Sequence, residues 1–241
     1  MAKLNQPRSA NYTRVHDSAV GPWEKPLLRA MAARMPAFVM PDHLTILGLV
    51  GSAITGACYA ATAWSPVFLI GASIGLFVNW IGDSLDGTLA RYRGTERPRY
   101  GFFIDHTSDI FSQMVISFGL GMSAYMRFDI ACLILIAYLI VSVFTYIRMQ
   151  AIKVLQVSYG GFGPTELRLI MLVGNVAAYL VGPRQFAVPV IGMISPFDVL
   201  GLLLFAGAIA SVFIGAITIG KQIALEDQPA NHAQISAAPG E

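Results

Sequence analysis

Long apolar runs, separated by short polar blocks, make up most of the chain. Six of them are long enough to cross a membrane, because a helix needs about 20 residues to span a hydrocarbon core roughly 30 Å thick. A soluble core would interrupt such runs with turn residues. The pattern predicts an all-α integral membrane protein with one six-helix domain over residues 41–221. The predicted transmembrane helices cover residues 44–64, 66–90, 102–126, 129–152, 165–183 and 197–220.

The two ends of the chain depart from this pattern. Residues 1–22 are polar and are predicted to form a flexible arm, and residues 222–241 lack apolar periodicity, which predicts a disordered tail. Between arm and domain, apolar residues recur from Trp23 at near-helical spacing. This predicts an amphipathic helix over residues 23–40 that lies in the membrane interface or packs on the protein itself. The charged residues on its other side are Glu24, Lys25, Arg29 and Arg34.

Composition and charge support a membrane location and suggest an orientation. The chain is 55% hydrophobic and 12% charged, whereas soluble domains carry about 25% charged residues. If six spans alternate from a cytoplasmic N-terminus, only Arg127 and Arg184 of the 16 Lys and Arg residues fall on the opposite side. Since positive charge favours the cytoplasmic side, we expect both termini to be cytoplasmic, in a plasma membrane or bacterial inner membrane. We expect no nucleic-acid partner.

Four aspartates lie between the second and third apolar runs. Asp83 and Asp86 are three residues apart, and Asp105 and Asp109 are four apart, so each pair lies on one face of its helix. The short link between the pairs predicts that the two helices are antiparallel neighbours with all four acids at one membrane depth. Clustered carboxylates repel one another unless cations neutralise them. Hard oxygen ligands suit Mg²⁺ or Mn²⁺, here as two bridged ions.

Small residues and an arginine accompany the first pair. Gly87 and Ala90 remove side-chain bulk from the face that carries Asp83 and Asp86, which lets a ligand approach the backbone. Arg91 follows directly and is suited to bind phosphate. Together with metal-binding acids, these residues predict a pyrophosphate site near the expected cytoplasmic surface.

The spacing D-x2-D-G-x2-A-R-x9-G-x3-D-x3-D, from Asp83 to Asp109, resembles the signature of the CDP-alcohol phosphotransferase family. The six-span layout and the opening PDHLT extend the resemblance over nearly the whole chain, less its two ends. The resemblance implies that a CDP-linked donor binds with divalent metal at the cytoplasmic membrane face. A lipid or small-alcohol acceptor then attacks the phosphorus, and CMP leaves. It also implies a homodimer among membrane lipids.

The resemblance assigns roles residue by residue. All four aspartates resemble metal ligands, and Asp109 also resembles the general base. Asp42 and Thr45 resemble a nucleotide-proximal pair, although Asp42 stands where the family often has asparagine. The remaining residues of the implied donor site are Asp83, Gly87, Ala90, Arg91 and Gly101.

Further residues have two interpretations each. His106 either tunes its neighbour Asp105 or helps acid–base chemistry, and a histidine here resembles the aminoalcohol branch of the family. Glu166 either caps its helix or lines an acceptor pocket. Arg148 and Arg168 either hold a phosphorylated acceptor or are ordinary cytoplasmic charges.

The sequence fits one alternative class of protein and, within the enzyme class, two directions of transfer. An ion-coupled transporter is the alternative class, since intramembrane acids also line ion pathways; transporters, however, usually hold them near mid-membrane. Within the enzyme class, His106 and Glu166 favour a CDP-ethanolamine or CDP-choline donor that transfers its headgroup to a diacylglycerol-like lipid. The alternative is phosphatidyl transfer from CDP-diacylglycerol to inositol phosphate, glycerol phosphate or serine.

Overall fold

The structure, a computed structural model, describes residues 13–15, 18–156, 163–189 and 192–227. Seven helices account for nearly all of them. Four three-residue strands form two small sheets, in which β1 pairs in parallel with β2 and β3 pairs antiparallel with β4. In chain order the elements are β1 (Thr13–Val15), α1 (Gly21–Arg34), α2 (Pro41–Ala61), α3 (Phe68–Arg93), α4 (Pro98–Gly121), α5 (Phe128–Ile152), β2 (Val154–Gln156), α6 (Pro164–Val181), β3 (Phe186–Val188), β4 (Gly192–Ile194) and α7 (Pro196–Glu226).

All six predicted apolar helices are present, and α2 to α7 follow their predicted order. Five helices in the described part of the chain, α2, α3, α5, α6 and α7, are long and apolar enough to cross a membrane. The chain is therefore an integral membrane protein. Helix α4 has 24 residues and sufficient length, but its polar side chains, including Asp105, His106 and Asp109, lower its hydropathy. A sixth crossing therefore stays a prediction.

Glycines bring α2 into close contact with α3 on one side and α4 on the other. A Cβ atom at Gly51 would lie 2.8 Å from the carbonyl oxygen of Gly75 on α3, and one at Gly56 would lie 2.5 Å from that of Val115 on α4. Such contacts are possible only without side chains. Helices α3 and α4 therefore both pack mainly against α2. The two helices leave a cleft between them, with α2 as its floor.

Helix α1 packs on α3 through a face that includes a charged residue. Leu28 and Ala32 join Leu85 and Leu89 in one buried cluster, and Glu24 on the same face is only 8% exposed. Glu24, predicted on the side of this helix opposite its apolar residues, is therefore part of the buried face. Trp23, by contrast, is 82% exposed. A location of α1 in the membrane interface stays a prediction.

The predicted arm and tail lie partly outside the described residues. Within the arm, Thr13–Val15 pairs with Val154–Gln156, and Ser18 and Val20 bond to α6. Residues 1–12 and 16–17 lie outside the described part. At the other end, α7 continues to Glu226, several residues past the predicted boundary, and residues 228–241 lie outside it.

Candidate active site

Three of the four aspartates meet at one end of the cleft between α3 and α4. Asp83 from α3 and Asp105 and Asp109 from α4 each present a carboxylate oxygen, and these three oxygens lie within 4.8 Å of one another. All three side chains are half-buried. Carboxylates this close repel one another in a poorly solvated site. Their hard oxygens and short separations fit a divalent cation such as Mg²⁺ or Mn²⁺.

Asp86 faces α2 rather than this group of three carboxylates. Its Oδ2 accepts a hydrogen bond of 2.7 Å from the hydroxyl of Thr45, and its Oδ1 accepts one from the backbone N–H of Gly87. Thr45, predicted next to the nucleotide, thus joins α2 to the aspartates of α3. The structure does not place Asp86 in the group of three.

An arginine from α6 enters the aspartate group. Arg168 donates from Nη2 to Oδ2 of Asp83 over 2.7 Å and from Nε to Oδ1 of Asn79 over 2.9 Å. Sequence reasoning placed Arg168 at a phosphorylated acceptor or on the cytoplasmic surface. The structure pairs it with Asp83, and the residue is only 8% exposed, so it is not a surface charge, while an acceptor role stays a prediction. The pairing joins residues 85 positions apart, and no local pattern could have predicted it.

Asn79 is a site residue that sequence reasoning missed. It lies one helical turn before Asp83, and its amide nitrogen donates to the carbonyl oxygen of Gly48 over 3.1 Å and to Oγ of Ser52 over 2.8 Å. The only signal in the sequence was a polar residue within an apolar run. The cleft wall contains Thr45, Gly48, Leu49, Asn79, Asp83, Ser108, Asp109 and Ser112.

The remaining donor-site residues lie around the end of the cleft. The Arg91 guanidinium lies over Gly87, where a Cβ atom would be 3.2 Å from its Nη1, and Ala90 is half-buried beside it. Asp42 forms an ion pair with Arg97, and this hydrogen bond raises the pKa of Arg97. Gly101 is exposed.

His106 lies against aromatic rings. Its Nδ1 is 3.7 Å from Oδ2 of Asp105, too far for a hydrogen bond. Its ring packs edge-on to Phe102 at 4.2 Å between centroids and near Tyr146 at 5.3 Å. Arg148 is half-buried on α5. Neither the helper role of His106 nor the acceptor role of Arg148 is tested by these contacts.

Glu166 caps α6 and holds the chain that precedes α1. Its Oε1 accepts from Oγ of Ser18 over 2.6 Å and from the backbone N–H of Val20 over 3.1 Å, and its Oε2 accepts from the N–H of Gly163 over 2.9 Å. The capping interpretation matches these contacts. An acceptor role for Glu166 stays a prediction without support from them.

Glu24 links three helices beside the aspartate group, and sequence reasoning missed this role. Its Oε1 accepts from Nε1 of Trp80 over 2.6 Å on α3 and from Oγ1 of Thr165 over 2.9 Å on α6. The hydroxyl oxygen of Ser84, two residues before Asp86 on α3, lies 3.4 Å from the same oxygen. These bonds explain how a carboxylate can be buried at this junction.

Fold and site together define a class: a helical integral membrane protein with a carboxylate cluster at one end of an intramembrane cleft. The model of the CDP-alcohol phosphatidyltransferase family matches residues 38–218, and the chain belongs to that family. The match includes α2 to α6, most of α7 and all four aspartates. Membership places the chain among transferases, so the transporter interpretation is no longer needed.

Curated relatives come from two branches of activity. The chain is 28% identical to cholinephosphotransferase 1 of Gallus gallus over 49% of its own length and 37% of the relative's. It is 32% identical to archaetidylinositol phosphate synthase of Pyrococcus horikoshii over 53% and 63% of the two chains. Cholinephosphotransferase 1 of Danio rerio is 26% identical over 72% and 47%. The chain thus spans less than two thirds of the length of each of these relatives.

Proposed function

We propose that the protein is a metal-dependent CDP-alcohol phosphotransferase of phospholipid synthesis. It transfers a substituted phosphate group from a CDP-linked donor to an alcohol and releases CMP. The observation that carries the proposal is the group of three carboxylate oxygens within 4.8 Å of one another, at the end of a cleft whose walls come from three apolar helices. Family membership supports the same reaction class.

The donor set fits divalent metal. Asp83, Asp105 and Asp109 would hold a first Mg²⁺ or Mn²⁺ ion, and Asp86 would complete a second position together with this group. When bound, the ions would offset negative charge on the pyrophosphate oxygens and on the departing CMP. Thr45 fixes the Asp86 carboxylate, and Arg91 presents its guanidinium over Gly87, where it can contact a donor phosphate.

Asp109 is proposed as the general base. It lies one turn further along α4 than Asp105 and belongs to the cleft wall together with Ser112, on the side from which a lipid-embedded hydroxyl would arrive. In the reaction the acceptor oxygen forms a bond to phosphorus while the pyrophosphate P–O bond to CMP breaks. The hydroxyl proton passes to the Asp109 carboxylate, because an alcohol is too weak an acid to lose it unaided at neutral pH.

The membrane arrangement is part of the proposal. Helix α4 would be the sixth crossing. It packs closely on α2 at glycine contacts, and its polar residues would face the cleft rather than lipid. The charge distribution favours a cytoplasmic location for the aspartates and both termini. A homodimer remains an expectation from the family resemblance.

For the substrate we propose CDP-choline or CDP-ethanolamine as donor and a diacylglycerol-like lipid as acceptor. Two relatives named cholinephosphotransferase and the histidine after Asp105 favour this direction. The match to a relative named archaetidylinositol phosphate synthase favours a second candidate. In that candidate a CDP-linked lipid transfers its phosphatidyl-type group to a small phosphorylated alcohol.

Release of CMP from separate donors tests both candidates. Purified protein in lipid vesicles is given CDP-choline, CDP-ethanolamine or CDP-diacylglycerol, each with Mg²⁺ or Mn²⁺ and a panel of acceptors. We expect release with an aminoalcohol donor plus diacylglycerol, and none after EDTA. Release only with CDP-diacylglycerol would select the second candidate, and metal-independent release would contradict the proposed chemistry.

A further inference from the structure

Arg168 is the buried cation of the aspartate group. Its residue is 8% exposed, and its Nη2 bonds to the same Asp83 whose carboxylate approaches Asp105 and Asp109. Burial of a guanidinium is costly unless its charge is paired and its N–H groups are bonded. Burial of an arginine at this position therefore costs free energy that a neutral residue of similar size would not cost.

A rigid set of polar contacts fixes the orientation of this arginine. Nε of Arg168 donates to Oδ1 of Asn79. Asn79 is held in turn by Gly48 and Ser52 on α2. Because both donors of the Asn79 amide are directed at α2, its oxygen must face Arg168. The guanidinium is thus aimed at Asp83 by α2 and α3, not by α6 alone.

The ion pair with Arg168 occupies part of the hydrogen-bonding capacity of the Asp83 carboxylate. Oδ2 accepts from Arg168 over 2.7 Å, and the carboxylate keeps further lone-pair sites with which it can bind an ion. The arginine also adds one positive charge beside three negative ones. It therefore reduces repulsion among the carboxylates, and the excess of negative charge that attracts a divalent ion is lowered but not removed.

We propose that Arg168 is a built-in counter-cation of the aspartate group: it positions Asp83 and stabilises the group before divalent ions bind. This inference rests on the proposed metal-dependent function and deepens it. It also replaces the acceptor-binding role predicted for Arg168. Arg168 is a positioning residue, since it acts through Asp83 and not on the substrate.

The proposal predicts in which direction the loss of Arg168 changes the stability of the metal-free protein. Without the guanidinium, the three carboxylates face one another with less compensation, so the metal-free protein should lose stability. Divalent ions bind a more negative group more tightly, and ligands that bind only the folded state raise its stability. The stabilisation gained on adding metal should therefore be larger in an Arg168 variant than in the wild type.

Melting temperatures in detergent, without donor, test this sign. Wild type, Arg168→Gln, Arg168→Lys and the control Arg184→Gln, which removes an exposed arginine, are each melted in EDTA and in saturating Mg²⁺. We expect Arg168→Gln to melt at least about 4 °C below wild type in EDTA, with less than about half of that gap left in Mg²⁺. Arg168→Lys should recover most of the loss, and Arg184→Gln should match wild type.

A double variant removes the ambiguity of a protein that merely folds badly. Asp83→Asn combined with Arg168→Gln deletes both charges of the pair, so it should melt above Arg168→Gln alone in EDTA. Turnover provides a second readout: Arg168→Gln should lower kcat while the KM for the acceptor stays within about twofold of wild type.

The outcomes separate this inference from the proposed function. Equal gaps in EDTA and Mg²⁺, or a double variant no more stable than the single one, would overturn the counter-cation role. Failure of both variants to fold would also overturn it, since Arg168 would then be scaffold. A raised acceptor KM with normal kcat would return Arg168 to the acceptor pocket. No effect of Mg²⁺ on the wild type itself would instead contradict the proposed metal site.

Discussion

Two buried acidic regions at different places in the molecule show how carboxylates can serve opposite purposes. At the start of α7, Asp198 is 1% exposed, and each of its oxygens accepts a backbone N–H: Oδ1 from Arg127 over 2.8 Å and Oδ2 from Ser195 over 2.7 Å. Ser195 completes the cap because its hydroxyl oxygen accepts from the N–H of Asp198 over 3.0 Å, and the same hydroxyl donates to the carbonyl oxygen of Tyr125. This acid joins the starts of α5 and α7.

At the aspartate group, carboxylates face one another instead of backbone donors. Asp83, Asp105 and Asp109 share a space of a few ångströms into which one guanidinium donates. An acid whose two oxygens each accept a backbone N–H has part of its lone-pair capacity committed to structure. Acids that face one another repel and gain from added cations. The partners of a buried acid, more than its burial, distinguish a structural role from a chemical one.

The largest effect should come from an acid of the three-carboxylate group. We expect Asp105→Asn to lower CMP release by more than about 10³-fold, the range found when a group that stabilises transition-state charge is lost. Its melting temperature in EDTA should equal or exceed that of wild type, because one repelling charge is removed. Turnover and melting curves on the same preparation provide the measurement.

A matched acid elsewhere serves as control for this variant. Asp129→Asn changes an exposed acid that pairs with Arg127 on the surface, and it should leave turnover unchanged. If Asp105→Asn kept most of its activity, the metal role of the group would be wrong.

The next effect separates base from ligand within the group. Asp109→Asn should cut the rate about 10²-fold, the loss typical of general base catalysis, while donor affinity is nearly retained. Asp83→Asn should instead weaken donor binding, since metal and pyrophosphate bind together. Calorimetric affinity for the CDP-linked donor in Mg²⁺, beside turnover, measures both variants.

Two other results would change the role proposed for Asp109. Equal loss of donor binding in both would make Asp109 a ligand only, and His106 would then be the first residue to test as base. Turnover near wild type in Asp109→Asn would remove this residue from the mechanism.

The smallest effect on activity is expected at the structural acid. Asp198→Ala removes two buried acceptors and should cost about 1–3 kcal/mol of stability, read as a lower melting temperature in EDTA and Mg²⁺ alike. Turnover of the folded fraction should stay within about twofold of wild type. A metal-dependent change in this variant would contradict separate roles and show that the two acidic regions are coupled.

The sequence predicted the parts of the site that local spacing encodes. Four aspartates at helical intervals, with Gly87 and Arg91 between them, required only the geometry of two helices and the chemistry of carboxylates. The order of the apolar helices followed from run length alone. Three of the four acids meet in the structure, whereas Asp86, which this reasoning placed with them, bonds to Thr45 instead.

The parts that were missed depend on contacts between distant residues. Helical periodicity placed Glu24 on the polar side of α1, but Trp80 and Thr165 supply donors that allow its burial. In the sequence, Arg168 is one of many basic residues near the end of an apolar run. Only the packing of α6 on α3 brings it to Asp83. No local spacing showed that glycines on both sides of α2 bring it into close contact with both α3 and α4.

The ion pair between Arg168 and Asp83 has a consequence for biogenesis. The two residues are 85 positions apart, so at a synthesis rate of about 5–20 residues per second the arginine follows the aspartate by roughly 4–17 s. During that interval α3 and α4 are made and carry their acids without the guanidinium. The nascent chain must keep these acids near water, or bound to ions, until α6 arrives and the cleft can close around them.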